Sequence, residues 1–597
     1  MRRVARIISH AAKLAMPFWR SDQRKRAFVL LTATILLNVG LVAIAVLITY
    51  WQNAFFNSLE EKDWPVFVSL LVTWSYSPNS GFMLGFAPIL TVYVLFTAYA
   101  LYLQQLLEIQ WREWMTKHLL DSWLSDNTHY RYSLLPDRAD NPDQRIADDI
   151  RLFVHDSLTL GIGFIRTAVS LVSFIILLWG LSRVVSFFGV YLPGSLVWMG
   201  MVYSAIGTAL THAIGKRLVS LNFTRERREA DFRFALARLR EYSEHVAFCG
   251  GEENEKAELT SRFGRIVDNF QHIIRVTKQV TLFATGYNQA TLVFPLIVAA
   301  PAYFAGRIPL GGIFQTANAF NKLLENLSWF VENYLQLTVY GATISRLQGF
   351  VAGLEEVSSH KSRSDSVHRP AELEIAQFTL SLPDDRLLLC DAQLTVEEGE
   401  RLLIVGPNGS GKTTLLKALA GIWPYYRGVL RIPHGRTLYL PQSQYIPLGT
   451  LRRAVCYPTA AEQFSTREIQ DALEAVRLGH LAKHLDAAEA CELGLSGGER
   501  QRLAVVQVLL HRPNLLFADE FLANVDPEGE LWIYDLIDRH LPSTTILSVA
   551  HRVPLPSFFS RAVRFEDRQL ESVSLDDVKI INNGTPDSQK DRSDARE

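Results

Sequence analysis

An uncharged stretch near the N-terminus constrains the fold of this chain more than any other feature of its sequence. No Asp, Glu, Lys or Arg occurs between Ala27 and Leu59, and the apolar core of the stretch runs from Phe28 to Trp51. A helix of this length is long enough to cross a hydrocarbon layer about 30 Å thick. The stretch therefore predicts a first membrane crossing.

Five more stretches predict further crossings. The second lies between Trp64 and Leu107 and crosses best from about Met83 onward. The others cover about Ser157–Ser182, Val184–Ile214 and Val280–Ala305, and a more polar sixth covers about Gly311–Tyr340. Six crossings place both ends of the chain on the same side of the membrane.

The charge of the first 26 residues predicts which side that is. They contain many Lys and Arg residues but only one acidic residue, Asp22. Because basic flanks of membrane helices stay in the cytoplasm, the N-terminus is predicted to be cytoplasmic. A cleaved signal peptide is the alternative, but its basic and apolar regions would both be longer than is typical.

The composition of the whole chain argues against two other classes of protein. The formal net charge is −1, whereas nucleic-acid-binding proteins usually carry a basic surplus, so no nucleic-acid partner is expected. The four cysteines are far apart in the sequence, at Cys249, Cys390, Cys456 and Cys491. This spacing predicts buried thiols rather than a disulfide framework or a zinc site.

The sixth predicted crossing carries a stripe of polar side chains. They recur at intervals of three, four or seven residues and so share one helix face: Gln315, Asn318, Lys322, Glu325, Glu332 and Gln336. Because charge is costly in hydrocarbon, the stripe predicts a water-filled cavity. A local Lys322–Glu325 pair, with Glu332 at the inner interface, is the alternative. Arg166 in the third crossing either lines a pathway or extends toward the headgroups.

The second half of the chain has a different pattern. After a polar segment at Ser358–Pro370, short β-type runs alternate with turns and helices, as is typical of an α/β domain. The predicted domains are a basic cytoplasmic N-terminus (1–26), a six-span α-helical transmembrane domain with long cytoplasmic helical extensions (27–350), a linker (351–370), an α/β P-loop domain (371–575) and a disordered tail (576–597).

The string GPNGSGKTT predicts a loop that binds phosphate groups. It follows a buried-strand pattern at Leu402–Val405 and opens a helix at Lys412–Ala420, which is the context such a loop needs. Glycines in the string allow backbone N–H groups to turn toward phosphate oxygens at the positive end of that helix. The predicted nucleotide contacts are Gly406, Pro407, Asn408, Gly409, Ser410, Gly411, Lys412, Thr413 and Thr414.

Charged and hydroxyl side chains near this loop predict a magnesium-dependent reaction. Lys412 supplies positive charge, Thr413 matches the hydroxyl that ligates Mg²⁺, and Thr414 packs against or caps the helix. Farther along, an apolar run ends in Asp519 and Glu520, which reads as a strand with two carboxylates at its tip. Asp519 would hold Mg²⁺ through water, and Glu520 would orient or deprotonate the water that attacks the γ-phosphate.

The string LSGGERQR, at Leu495–Arg502, resembles the signature of ATP-binding-cassette (ABC) proteins. The order of the surrounding motifs is also similar to that family. Gln442 in LPQSQ stands at the position of its glutamine loop, Asp526 in ANVD at its D-loop, and His551 in SVAHR at its switch histidine. The resemblance implies that Gln442 ligates Mg²⁺ and that Gln442 and His551 act with Glu520 in catalysis.

The same resemblance implies that ATP is held between two subunits. It would lie between the phosphate loop of one subunit and Ser496, Gly497 and Gly498 of the other, with Asp526 beside it. Gly497 and Gly498 would allow close backbone approach to the γ-phosphate at a helix N-terminus. One chain with one loop completes neither site, so the implied unit is an exporter-type homodimer with twelve spans, two ATP molecules and Mg²⁺.

Two positions depart from the usual pattern of the family. Where many cassettes have a tyrosine that stacks on adenine, this chain has Leu382, with Phe378 as a weak substitute. The D-loop reads Ala523-Asn524-Val525-Asp526 rather than Ser-Ala-Leu-Asp. The first departure leaves adenine stacking open, and the second affects only the packing around Asp526.

Strings in both halves resemble particular transporter groups. NPDQRIADDI (Asn141–Ile150) and EADFRFALARLREYSEHVAF (Glu229–Phe248) are similar to the BacA and SbmA peptide transporters and their cassette-fused bacterial relatives. GIWPY (Gly421–Tyr425) and IPLGTLR (Ile446–Arg452) are similar to peroxisomal fatty-acyl ABC transporters. The first resemblance implies ATP-driven import of peptides, including antimicrobial ones, across the bacterial inner membrane by alternating access.

Other functions remain open at this stage. The cargo could be cobalamin, a fatty-acyl compound or a lipid, and the direction could be export. Outside the class of transporters, the chain could be an ATP-gated channel or regulator, or an ATPase that transports nothing. The expected partners are a second copy of the chain, a peptide or other small substrate, and the lipid bilayer.

Overall fold

The chain forms two compact units. The computed structural model describes residues 2–77, 81–135, 141–182, 193–359, 372–487, 494–523, 525–550, 556–575 and 578. The first unit comprises Met1–Asp121 and Asn141–Ala352, and the second comprises Ser122–Asp140 and Gly353–Glu597. Residues 122–135, which precede the third predicted crossing, therefore belong to the second unit.

The first unit consists mainly of long helices. In chain order, and including α5 of the second unit, the helices are α1 (Arg2–Arg20), α2 (Arg24–Glu60), α3 (Trp64–Val72), α4 (Phe86–Leu124), α5 (Thr128–Ser133), α6 (Pro142–Gln144), α7 (Ile150–Leu181), α8 (Ser195–Glu241), α9 (Ser243–Cys249), α10 (Glu252–Phe304), α11 (Leu310–Glu332) and α12 (Tyr334–Ser359). An antiparallel hairpin joins β1 (Trp74–Ser77) to β2 (Gly81–Leu84). A π-helical turn at Arg145–Asp149 precedes α7.

Several of these helices are suited to a membrane. Among the described residues, four stretches are long and apolar enough to cross one: Arg24–Glu60, Phe86–Ser133, Pro142–Leu181 and Glu252–Phe304. A fifth is a pair, Ser195–Thr211 and Ala213–Glu241, bent by 44°. The start of the fourth predicted crossing, at residues 184–192, lies outside the described residues. The sixth coincides largely with the more polar α11, and its passage through the membrane stays a prediction.

Two predicted crossings are interrupted. The described residues before Phe86 in the second stretch form α3, β1 and β2, so the long helix begins only at Phe86. The chain folds back closely at Gly85, where a Cβ would lie 2.9 Å from the backbone nitrogen of Thr73. The sixth is broken at Asn333, which separates α11 from α12. The long helix of the second stretch thus begins close to Met83, where the sequence places the crossing, whereas the prediction of one continuous helix is wrong for the sixth.

The outer half of the polar stripe packs against α2. The Asn53 side-chain amide donates to Gln315 Oε1 at 2.6 Å, and Asn318 Nδ2 donates to Gln52 Oε1 at 2.6 Å. Gln315 is buried, with 3% of its surface exposed. These two members of the stripe therefore bind a neighbouring helix, and the prediction that they line a cavity is wrong for Gln315.

The remaining members of the stripe have different surroundings. Lys322 Nζ donates to Glu325 Oε2 at 2.7 Å on an exposed face, so these two residues form the local pair that was the alternative to a cavity lining. Gln336 Nε2 donates to the buried Asp156 at 2.7 Å, which links α12 to α7. Arg166 is exposed on α7. The charged groups of this unit that remain exposed thus include Arg166, Lys322 and Glu325.

A buried carboxylate joins α7 to α12. The side chain of Asp149 is only 2% exposed and accepts hydrogen bonds from both Arg145 and Arg346. The Arg346 guanidinium is bidentate, with Nε at 3.0 Å from Oδ2 and Nη2 at 2.6 Å from Oδ1. Paired, hydrogen-bonded charges of this kind are tolerated in an interior, whereas an unpaired one is not.

The cysteines that the structure describes differ in how deeply they are buried. Cys456 is buried and Cys390 is half-buried, but Cys249 is exposed at the end of α9. The prediction of buried thiols is therefore wrong for Cys249. Cys491 lies outside the described residues.

The second unit is built on two sheets. Its other strands and helices are β3 (Leu373–Ser381), β4 (Leu387–Val396), β5 (Arg401–Val405), α13 (Lys412–Leu419), β6 (Tyr426–Arg431), β7 (Thr437–Leu440), α14 (Leu451–Cys456), α15 (Thr466–Ala475), α16 (Gly497–His511), β8 (Leu515–Asp519), α17 (Pro527–His540), β9 (Thr545–Val549), β10 (Arg561–Glu566) and β11 (Gln569–Val573). One sheet has the order β11-β10-β5-β9-β8-β7, and the other is antiparallel with the order β4-β3-β6.

Burial explains the apolar runs in the larger sheet. β5, β8 and β9 are buried at every residue and pair in parallel, as expected of strands covered on both faces. A core that includes Phe378 and Phe517 also contacts Tyr130 of α5 and Leu134, which follows it. Lys417 of α13 lies 5.7 Å from the centre of the Tyr130 ring. Residues 122–135 thus pack on the sheet-containing part of the second unit.

The Asp149 site yields a prediction about stability. Asp149→Ala should lower the free energy of unfolding by about 3–5 kcal/mol, because it removes the buried carboxylate that accepts hydrogen bonds from both Arg145 and Arg346. Thermal unfolding of the detergent-purified protein measures the effect. Asp148→Ala is the matched control, since Asp148 is exposed and pairs only loosely with Arg151, at 3.5 Å. Equal melting temperatures for the two variants would contradict the assigned role of Asp149.

Candidate nucleotide-binding site

The candidate site lies at one edge of the six-stranded sheet. β5, β9, β8 and β7 are neighbours in that order and run parallel, so their carboxyl ends meet at the same edge. The phosphate-loop residues follow β5, Gln442 follows β7, and Glu520 follows β8. Ligands of open α/β sheets bind at this edge. His551 follows β9 but lies outside the described residues.

The first residue of the loop allows no side chain. A Cβ built on Gly406 would lie 2.3 Å from the carbonyl oxygen of Phe565, which is closer than non-bonded atoms approach. Gly411, the N-cap of α13, has a φ of +113°, which side-chain-bearing residues rarely adopt. The loop therefore folds back over the end of β5 before α13 begins.

Lys412 is held against this loop. Its side chain is largely buried, and Nζ donates to the carbonyl oxygens of Gly406 and Pro407, each at 2.8 Å. Burial lowers the pKa of the Lys412 ammonium, whereas the charges of Glu520 and Asp519 act in the opposite direction. An anion placed on the loop would meet this cation and the N-terminus of α13.

Ser410 provides a test of whether the loop suits a phosphate. Its Oγ is buried and has no hydrogen-bond partner among the described residues. A buried hydroxyl without a partner costs about 1–3 kcal/mol. A phosphate oxygen would accept this hydrogen bond, so the loop fits a nucleotide phosphate.

Two carboxylates at the end of β8 have separate partners. Asp519 is 5% exposed, and its Oδ1 accepts from Thr413 Oγ1 at 3.1 Å. Its Oδ2 accepts from the Tyr439 hydroxyl at 3.2 Å. The next residue, Glu520, has a φ of +48° and accepts from Gln442 Nε2 at 3.0 Å. The two adjacent carboxylates therefore have different hydrogen-bond donors.

Thr413 and Asp519 suit a Mg²⁺ ion that also binds phosphate. A hydroxyl and a carboxylate are the hard oxygen ligands that Mg²⁺ prefers, and the ion usually completes its shell with water and substrate phosphates. In the part of the chain that the structure describes, no cluster of three or more His, Cys, Asp or Glu could hold a metal ion. The residues present thus fit a nucleotide-bound Mg²⁺ rather than a separate metal centre.

The signature residues form an exposed helix N-terminus. Ser496 caps α16 in a capping box, since its hydroxyl accepts from Glu499 N at 3.3 Å and donates to Glu499 Oε2 at 2.8 Å. Ser496 and Gly497 are exposed, and Gly498 is half-buried. Asp526 caps α17 in a similar way by accepting from Gly529 N at 3.1 Å. Both helix ends are therefore capped by side chains of this chain.

Phe378, the suggested substitute for the tyrosine that stacks on adenine, does not lie where that role requires. Phe378 is fully buried and stacks on Tyr426, with ring centres 5.1 Å apart. It is not available to stack on adenine, so its suggested substitute role is wrong. Leu382 is half-buried at the end of the same strand. Asn524 of the D-loop lies outside the described residues.

Sequence reasoning missed Tyr439. No motif marks a tyrosine in the strand TLYL, and only its position three residues before Gln442 places it near the site. Its contact with Asp519 depends on the pairing of β7 with β8, and the sequence motifs do not predict that pairing.

Comparisons with known proteins agree with this architecture. Residues 14–304 match the family described as ABC transporter transmembrane region 2, and residues 389–523 match the family described as ABC transporter. An ABC transporter ATP-binding protein of Haemophilus influenzae is 34% identical over 91% of this chain and 89% of its own length. The inner membrane ABC transporter ATP-binding protein YddA of Escherichia coli is 30% identical over 90% of this chain and 94% of its own length.

A solved structure supports the fold. The chain resembles a bacterial Atm1-family ABC exporter with ATP bound, with a TM-score of 0.65 over 94% of this chain and 98% of the other. The two are 18% identical, so the likeness concerns the fold alone. The predicted fold class, a helical transmembrane domain joined to an α/β P-loop cassette, is confirmed.

The geometry of Lys412 yields a prediction about nucleotide affinity. Lys412→Ala should weaken binding of a fluorescent ATP analogue by roughly tenfold or more, because a charge-assisted hydrogen bond to phosphate is lost. The measurement uses the purified full-length protein. Lys483→Ala is the matched control because Lys483 is exposed in a short helical turn elsewhere in the same unit. Unchanged affinity of Lys412→Ala for the ATP analogue would show that the loop is not part of the nucleotide site.

Proposed function

Because this chain belongs to the ABC transporter family, we propose that it is an ATP-driven importer of hydrophilic peptides in the bacterial inner membrane. One observation carries the ATP-dependent part of the proposal. A single sheet edge brings together the phosphate loop, the Thr413–Asp519 hydrogen bond and the Gln442–Glu520 hydrogen bond. These are the groups that phosphoryl transfer to water needs: an anion cradle, magnesium ligands and a residue to position the water.

Each of these residues has a proposed task in hydrolysis. The loop N–H groups and Lys412 would bind the phosphates, and Thr413, Gln442 and Asp519 would hold Mg²⁺. When bound, Mg²⁺ would supply charge neutralisation at the phosphate oxygens. Glu520 orients or deprotonates the attacking water, and Gln442 holds the Glu520 carboxylate in place through its 3.0 Å hydrogen bond. His551 is proposed to contact the γ-phosphate as the switch histidine.

A second copy of the chain is proposed to complete each site. Ser496 and Gly497 are exposed at a preformed helix N-terminus, which favours an anionic ligand supplied from outside the chain. A homodimer related by a two-fold axis would use this surface twice and hold two ATP molecules. Asp526, at the N-terminus of α17, would lie in the same interface.

Chain connectivity supports coupling between ATP and transport. α4 begins in the first unit, and the residues that follow it pack within the second unit through Tyr130 and Leu134. Closure of two cassettes around ATP would therefore move the end of a long membrane helix, and hydrolysis would reverse the movement. Alternating access requires two such states whose balance ATP biases.

An exposed charge on a membrane helix supports a hydrophilic cargo. Arg166 on α7 is exposed within a predicted crossing, where charge generally marks a polar pathway. A fatty-acyl cargo would gain little from such a group. The description of the Escherichia coli relative as an inner membrane protein supports the proposed location.

The first test of this function uses Glu520→Gln in proteoliposomes. We expect this variant to bind ATP without turnover and to lose uptake, because its amide does not act as a base. Labelled peptide, cobalamin and fatty acyl-CoA are supplied in parallel, and Glu462→Gln, an exposed glutamate elsewhere in the cassette, is the control. Normal ATPase turnover in Glu520→Gln would contradict the role of Glu520.

The cargo arms of this experiment separate the alternatives. ATP-dependent accumulation of peptide supports the proposal, and accumulation of cobalamin or fatty acyl-CoA instead would replace the cargo. ATP-dependent movement of cargo from the cassette side of the membrane to the opposite side would indicate export. Flux that follows the concentration gradient would indicate a channel, and ATP turnover without flux would indicate an ATPase that transports nothing.

The two-copy site can be tested by mixing inactive variants. Lys412→Ala and Gly498→Asp should each abolish ATP hydrolysis alone. If copies pair at random, co-expression should restore about one intact site in four, because a mixed dimer collects both changes in one site and leaves the other unaltered. ATP hydrolysis by the co-purified mixture measures the recovery. Full activity of Gly498→Asp alone would show that the signature lies outside the site.

A further inference from the structure

The carboxylate of Asp519 is fixed at both of its oxygens. Thr413 donates to Oδ1 at 3.1 Å, and Tyr439 donates to Oδ2 at 3.2 Å. Thr413 belongs to the phosphate-loop motif, but Tyr439 belongs to no motif and has no assigned role. A carboxylate held at one oxygen can rotate about its Cβ–Cγ bond, whereas one held at both keeps its orientation.

Strand pairing and packing fix the position of Tyr439 beside Asp519. Tyr439 pairs in register with Phe517 on the neighbouring strand β8, two residues before Asp519. The aromatic ring is half-buried against the same core as Phe517.

We propose that Tyr439 is a positioning residue for the magnesium site, which orients Asp519 so that its Oδ1 edge and Thr413 face the ion together. This inference rests on the proposed ATP site. Tyr439 itself touches neither nucleotide nor metal. It acts through Asp519, in the way that outer hydrogen-bond partners commonly orient metal-binding carboxylates.

A second contact from the same segment supports this assignment. Gln442, three residues after Tyr439, donates to Glu520 at 3.0 Å. The end of β7 therefore supplies one hydrogen-bond donor to each of the two adjacent carboxylates at the end of β8. One strand end thus sets the orientation of the proposed magnesium ligand and of the proposed catalytic glutamate.

The test measures the affinity for a metal ion separately from that for nucleotide. Mn²⁺, which prefers the same oxygen ligands as Mg²⁺, is titrated into full-length protein with a non-hydrolysable ATP analogue and followed by electron paramagnetic resonance. Tyr439→Phe removes only the hydroxyl. We expect Mn²⁺ affinity to fall by about tenfold, with nucleotide affinity in EDTA unchanged. Tyr534→Phe, a buried tyrosine in the other core of the same unit, should leave both affinities unchanged.

A double variant distinguishes positioning from general damage. If Tyr439 acts through Asp519, then Tyr439→Phe should cause no further loss of Mn²⁺ affinity in an Asp519→Asn background. Unchanged Mn²⁺ affinity in Tyr439→Phe, or an equal fall of nucleotide affinity in EDTA, would overturn the inference. Unchanged Mn²⁺ affinity in Asp519→Asn alone would instead overturn the proposed magnesium site.

Discussion

Two adjacent carboxylates at the end of one strand impose the main constraint on this cassette. Neighbouring negative charges raise the cost of each other's ionisation unless each has its own stabilising partner. The structure meets this condition by turning Glu520 into a left-handed backbone conformation, with a φ of +48°, directly after Asp519 ends β8. Such a conformation costs about 1–3 kcal/mol. It directs the two side chains toward different donors, and the rest of the site is arranged around that divergence.

In the membrane helices, several buried polar and charged groups also have stabilising partners. Polar atoms that would be costly in an apolar interior are joined in pairs between helices, as Asn53 is to Gln315. Asp149 is shared by two arginines from different elements. Because hydrogen bonds strengthen where the dielectric constant is low, these contacts also specify which helices pack together. Arg166 on α7 is instead exposed.

Patterns within a short window of sequence were sufficient for much of this structure. The apolar stretches predicted the long helices, and the string at Gly406 predicted the strand, turn and helix around the phosphate loop, because these features depend on neighbouring residues. The break at Asn333 and the hairpin before Phe86 were missed, since they depend on how the chain folds back on distant segments. The Tyr439–Asp519 contact was missed for the same reason: 80 positions separate the two residues.

Residues 122–135 belong to the cassette-containing unit, although the sequence places the start of the cassette after the linker at 351–370. They precede a membrane helix in the chain, yet Tyr130 and Leu134 cover part of the cassette core. A cassette excised at the linker would lack this cover and expose apolar surface to water. The apolar cover of this cassette core is therefore supplied in part by a peptide segment that lies far upstream of the linker in the chain.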